Sequence, residues 1–167
     1  MNYFLLSVIM SFAMPQDEVD QTIKQLNEQM EAAFNSGNLK KVAGFYLDEA
    51  YLISPGDKQI TTRTDIDEYW TSIKNPVKWE LEVIEVTKDE KSIYENEYWK
   101  ALKNKPPGWR AQGIDIDNNQ KLVYQLGHSA LTTMHDGKEH TSEVDFILIW
   151  KYTDEGYKIL LDTYAWQ

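Results

Sequence analysis

The chain has 167 residues, a formal net charge of −10, no cysteine, and six Trp, ten Tyr and five Phe. A domain of this length can bury roughly 70% of its unfolded surface without covalent staples, and the aromatic content fits a globular chain rather than a disordered one. The missing thiols exclude disulfides, thiolate nucleophiles and lipid attachment through Cys, and the acidic surplus argues against nucleic acid or an anionic membrane as partner.

Residues 2–14 carry no charge, residues 3–10 form an apolar run of signal-peptide length, and Ser11 and Ala13 supply small residues for a cleavage site. A cleaved leader at 1–13 and a secreted or periplasmic location are therefore expected. No Lys or Arg precedes the run, which leaves open a terminal segment packed on the body or a misplaced start codon. The run is too short to span a bilayer.

From residue 17 to 34, Val19, Ile23, Leu26, Met30 and Phe34 recur every three or four positions, the stripe of an amphipathic helix. Asp17 is the expected cap and Gly37 the stop. Asn38 can cap a short second helix over 39–45, with Leu39, Val42 and Tyr46 inward. Residues 50–53 predict a brief strand ended by Ser54-Pro55-Gly56, and 59–61 its return partner. A third helix is expected over 64–73, capped by Thr64 with Asp67 three residues on, with Ile66, Tyr69, Trp70 and Ile73 apolar. Residues 79–87 alternate as a strand, Trp79, Leu81, Val83 and Glu85 against Glu80, Glu82, Ile84 and Val86.

The last third reads as a three-stranded antiparallel meander. Asp136-Gly137 is the two-residue signal of a tight hairpin, and Asp154-Glu155-Gly156 marks a second turn. The first run places Gln125, Gly127, Ser129 and Leu131 on one face and Tyr124, Leu126, His128 and Ala130 on the other. The second separates Val144, Phe146, Leu148 and Trp150 from Asp145, Ile147, Ile149 and Lys151. A strand apolar on both faces needs cover on both. The N-terminal helices supply one cover, and a second copy of the chain, a homodimer through the sheet, is the expected other. The order of elements is α+β, helices on one face of a curved sheet.

Gly37-Asn38-Leu39, Tyr46, Asp48-Glu49-Ala50, Pro55-Gly56 and Tyr69-Trp70 follow one another as in the opening of the nuclear transport factor 2-like superfamily. Within it the chain most resembles the SnoaL-like and ketosteroid-isomerase-like branch, over roughly 16–87 and 121–167. That resemblance implies a single domain over 16–167, a cone-shaped curved antiparallel sheet wrapped around helices, and a deep pocket between them. In the isomerases the pocket holds a Tyr on the first helix, an Asp before the Pro, and a protonated Asp on a late strand. Carried over by position these become Met30, Ser54, and Phe146 or Leu148. A Ser hydroxyl cannot take a carbon-bound proton near neutral pH and Met cannot donate to an oxyanion, so the residues argue against steroid isomerase chemistry. The pocket's other aromatics do carry over, as Tyr46, Trp70 and Trp166.

If Trp166 faces the pocket, Tyr164 and Asp162 do too. Asp162 interrupts an otherwise apolar run, where its carboxylate would be desolvated. Gln125 and Ser129 can reach it or a ligand. Two readings stand: a structural Asp paired with Tyr46, Gln125 or a backbone amide, or the polar centre of an aromatic-lined pocket and its general base. The expected ligand is a small apolar or aromatic molecule, with an association module as the alternative function. No cofactor is assigned. His135 and His140 flank the hairpin turn without a placed carboxylate, so no metal is assigned either. There is no Gly-rich phosphate loop and no nucleophile elbow.

Residues 88–121 depart from the resemblance as an insertion. Ser92 and Glu95 have the spacing that opens a helix, and Tyr94, Tyr98, Trp99 and Trp109 suggest either a lid packed on the sheet edge or a segment that shapes the pocket mouth or a partner surface. Asp115, Asp117 and Asn119 alternate like calcium ligands but lack the Gly and closing Glu of a calcium hand.

Overall fold

Three helices and one six-stranded sheet make up the computed structural model, which describes residues 14–55, 59–88 and 122–166. The leader expected at 1–13 lies outside the described residues, as do the aromatics and acidic residues of the insertion from 89 onward. The helices are α1 (Gln16–Asn35), α2 (Leu39–Ala43) and α3 (Arg63–Thr71). The strands are β1 (Tyr46–Ile53), β2 (Gln59–Ile60), β3 (Pro76–Thr87), β4 (Leu122–His135), β5 (Lys138–Thr153) and β6 (Gly156–Trp166).

Local chemistry explains most of these boundaries. Helix α1 begins one residue earlier than expected: Pro15 stands at its N-cap, and Asp17 and Glu18 sit in the first turn, where carboxylates favour the positive end of the dipole. Gly37 closes the helix at φ 76°, a left-handed conformation cheap only for glycine. The Asn38 side chain accepts from the Lys41 N–H and caps α2, as expected. For α3 the cap is Thr62, not Thr64: its hydroxyl accepts from the Asp65 N–H at 3.1 Å. Asp67, the supposed partner of Thr64, instead takes an ion pair from Arg63 at 2.6 Å.

The strand order is β2-β1-β6-β5-β4-β3. The closing meander has the expected antiparallel register, His135 opposite Lys138 across the first turn and Thr153 opposite Gly156 across the second. Asp136 and Gly137 both take positive φ, 50° and 74°, the mirror-image turn that matches strand twist. The sheet is mixed rather than wholly antiparallel, because β1 lies parallel to β6. That pairing joins the front of the chain to its end and carries a register irregularity between Tyr46 and Tyr51. A second irregularity between Val83 and Glu85 breaks the alternation expected of β3, leaving Ile84 40% exposed while Val86 packs against the core.

Apolar side chains segregate to the two faces of the sheet. On the helix side, Ile23, Met30 and Phe34 of α1 and Trp70 of α3 meet Phe146, Leu148 and Trp150 of β5. The other face gathers Tyr124, Leu126, Ile147, Ile149 and Leu161, a cluster that draws only on strands. These side chains are already buried within one chain, so their burial does not itself call for a second subunit.

Helix α1 is fastened to β3 by side chain to backbone bonds. The Trp79 N–H donates to Asn35 Oδ1 at 2.7 Å and the Leu81 N–H to Glu31 Oε1 at 2.5 Å, while Gln16 reaches the Val86 carbonyl at 3.1 Å. Gly127 sets the close approach of β4 to β5: a Cβ there would meet the Phe146 ring and the Glu82 carbonyl. The substitution Gly127→Ala is expected to displace Phe146 and cost about 1–3 kcal/mol, read as a lowered urea midpoint at unchanged m value.

Candidate functional site

Between the helix layer and the concave face of β4–β6 lies a cavity of about 390 Å3, within the range usual for small-molecule sites. Its floor is built from Met30, Tyr46, Trp70, Phe146, Leu148 and Asp162. Its mouth carries Ile73, Lys74, Thr133, Ser142, Val144 and Trp166. The aromatic wall is continuous: Tyr69 meets Trp70 edge-on at 5.4 Å between ring centres, Trp70 meets Trp79 at 5.1 Å, and Tyr46 meets Trp70 at 6.2 Å. Successive aromatic residues on one helix and alternate ones on strands produce this wall, since each element offers only one face to the interior.

Among the described residues, Asp162 is the one carboxylate in the lining. Strand β6 brings it in by alternation: Asp162, Tyr164 and Trp166 face the cavity, whereas Leu161 and Ala165 join the outer cluster. The side chain is 8% exposed, and the Tyr46 hydroxyl donates to Oδ2 at 2.6 Å across 116 positions of sequence. Burial pushes the carboxyl from its ordinary 3.8 up to about 6, and the Tyr46 hydrogen bond holds it from rising further. Burial, and then the Asp162 charge, raise the Tyr46 hydroxyl well above its ordinary value. Tyr46 is therefore a fixed donor, and Asp162 is a group that changes state near pH 6.

A second pair of hydroxyls stands alongside. Tyr69 and Tyr164 lie 2.8 Å apart, and Ser54 hydrogen-bonds Tyr164 from behind. Both tyrosines are raised chiefly by burial. The Trp70 indole N–H approaches the Tyr46 hydroxyl outside hydrogen-bonding geometry and is left buried without an acceptor. A buried donor of that kind costs about 1–3 kcal/mol until something accepts from it. The arrangement thus offers a carboxyl that can hold or take a proton, plus an unused N–H, in a largely apolar enclosure.

Nine of the residues expected from sequence line this cavity: Asp162, Met30, Tyr46 and Trp70; Ser129, Phe146 and Leu148; Tyr164 and Trp166. Two do not. Ser54 hydrogen-bonds Tyr164 but is not part of the lining, and Gln125 is wholly buried with Oε1 accepting from the Trp150 indole at 2.8 Å. Alternation put Gln125 on the right face, but Trp150 takes its oxygen. Ser129 reaches the lining and also accepts from the Trp79 indole at 2.8 Å. Sequence reasoning missed Tyr69, Trp79 and Lys74 as lining residues. The first two were legible as inward positions of a helix and a strand, whereas Lys74 follows α3 in a turn where no periodicity applies. His135 and His140 meet edge to face at the hairpin tip, ring centres 5.9 Å apart, while His128 pairs with Asp145 elsewhere. No cluster of three metal-ligating side chains occurs among the described residues, and no described helix is long and apolar enough to cross a membrane.

Neither a family model nor a curated protein matches the chain in sequence. Solved structures do match it in shape. The protein Aln2 from a Streptomyces species superposes at TM-score 0.62 with 8% identity, covering 92% of this chain and 94% of that one. A ketosteroid isomerase-like protein from Erwinia carotovora atroseptica gives 0.58 with 11% identity, covering 92% and 98%. An NTF2-like protein with a cystatin-like fold from Novosphingobium aromaticivorans gives 0.56 with 10% identity, covering 89% and 82%. The chain has the nuclear transport factor 2-like fold, a curved α+β cone closed on one side by helices.

Two measurements test this geometry. Because the folded carboxyl of Asp162 binds its proton more tightly than the unfolded one, its contribution is most favourable below about pH 4 and is lost as pH rises through about 6. The stability difference between wild type and Asp162→Asn should therefore fall by about 2 kcal/mol from pH 4 to 7, measured by denaturant titration at each pH. In Tyr46→Phe, which removes the hydrogen bond holding the carboxyl down, carbon-detected NMR of Asp162 should show a titration midpoint above about 6.

Proposed function

We propose that this chain is a small-molecule-binding domain. Its ligand has an apolar or aromatic body seated against Trp70, Trp79 and Phe146, and Asp162 is the polar centre of the site. The single observation behind this reading is a cavity of about 390 Å3, open at one end, in which one desolvated carboxyl faces an aromatic wall.

Steroid isomerisation is not the chemistry we propose. The positions that would supply its acid and base hold Met30, Ser54, Phe146 and Leu148, none of which titrates in the useful range. If the site performs a reaction, Asp162 is the group able to accept a proton above about pH 6.

A second reading, an association module that dimerises through the sheet, draws on the apolar outer face. It ranks lower because that face is already buried in one chain, while the cavity has no account under it. Native mass spectrometry of the purified protein separates the two. A co-purified mass released by denaturation is expected for the first, and a dimer mass with no released molecule favours the second. Asp162→Asn should lower occupancy at least tenfold while the fold is retained, and full occupancy in that variant would remove Asp162 from the site.

A further inference from the structure

The cavity has two chemically different ends. Asp162 lies at the inner end, where β5 pairs Leu148 with Asp162. The same strands pair Val144 with Trp166 at the mouth. Four residues separate those rungs, about 13 Å at ~3.3 Å per residue. Beside Trp166, which is 56% exposed, the mouth lining includes Lys74, Thr133 and Ser142.

Among the described residues, Lys74 is the only cation in the lining. In a chain of net charge −10, three strand lysines have acids: Lys78 meets Glu80 at 2.8 Å, Lys151 meets Glu49 at 3.7 Å and Lys158 meets Glu155 at 3.7 Å. Lys74 has no ion pair among the described residues. Its backbone is held in place by the next residue. Asn75 sits at φ 50°, its carbonyl accepts from the Met134 N–H at 2.9 Å, and its side-chain Nδ2 donates to the Met134 carbonyl at 3.1 Å. This clamp fixes the end of α3 against β4 and keeps the root of the Lys74 side chain at the rim.

Resting on the ligand-binding reading above, we infer that the ligand is an elongated amphiphile whose anionic oxygen group, of the carboxylate or sulfonate class, pairs with Lys74 at the mouth while its apolar body fills the aromatic channel. The free ammonium supplies the charge that the wall lacks. A carboxylate at the inner end would instead face Asp162, so charge fixes which way round the molecule enters. Lys74 is thus a specificity-determining residue that discriminates anionic from neutral ligands of the same shape.

Two fluorescent probes with one ring skeleton test this: 8-anilinonaphthalene-1-sulfonate carries an anionic group and N-phenyl-1-naphthylamine does not. Titrations of wild type, Lys74→Glu and Lys74→Arg give Kd for each. Lys74→Glu should weaken the sulfonate about tenfold and the neutral probe by less than about twofold, with Lys74→Arg close to wild type. Added salt should weaken sulfonate binding to wild type and leave the neutral probe unaffected. If both probes bind one site per chain and Lys74→Glu treats them alike, the inference about Lys74 is overturned while ligand binding stands. If neither probe fills a site, both fall together.

Discussion

The hydrogen bond from Tyr46 to Asp162 ties the two ends of the fold into one object. Tyr46 opens β1 and Asp162 lies in β6, the strands whose parallel pairing brings the start of the sheet against its end. Without a donor, a carboxyl this deep would be driven further toward its neutral form. Without a carboxyl, the Tyr46 hydroxyl would be a buried donor with nothing to accept from it. Each group makes the other tolerable, and the pair places one titratable carboxyl inside an apolar cavity. Polar pairs in interiors are costly, and this one stands in the cavity lining on which the ligand-binding proposal rests.

Around that pair, packing and function divide the sheet between them. The concave face is filled near α1 by Ile23, Phe34 and Trp150 and left open near α3, where Tyr69, Trp70 and Trp79 turn rings toward the gap. Rigid aromatic walls hold a cavity open because their rings have few rotamers with which to collapse into it. Gly127 belongs to the same design: it admits the Phe146 ring, which then forms part of the floor.

What could be read from the sequence was what periodicity and turn chemistry encode. The Asp136-Gly137 hairpin, the α1 stripe and the alternation that carries Asp162, Tyr164 and Trp166 inward all follow from local rules, and the structure has each of them. Three features did not follow. Two threonines, Thr62 and Thr64, each precede an Asp by three residues, and only the Arg63–Asp67 ion pair decides between them. The first half of β1 was hidden because exposed Asp48 and Glu49 beside the irregular pairing with β6 blur its alternation. Gln125 was assigned to the pocket because alternation specifies a face and not a neighbour, and the neighbour proved to be the Trp150 indole.

The bonds from Glu31 and Asn35 to the backbone of β3 carry a consequence for assembly. β3 ends the sheet on one side, and a border strand with unpaired amides is a template for strands of other molecules. Here helix side chains already occupy the Trp79 and Leu81 amides. The opposite border, β2, is two residues long and offers too little backbone to nucleate a ladder. Two outward amides of one flank are thus taken and the other flank is short, which narrows the backbone that the described residues leave open to β-augmentation.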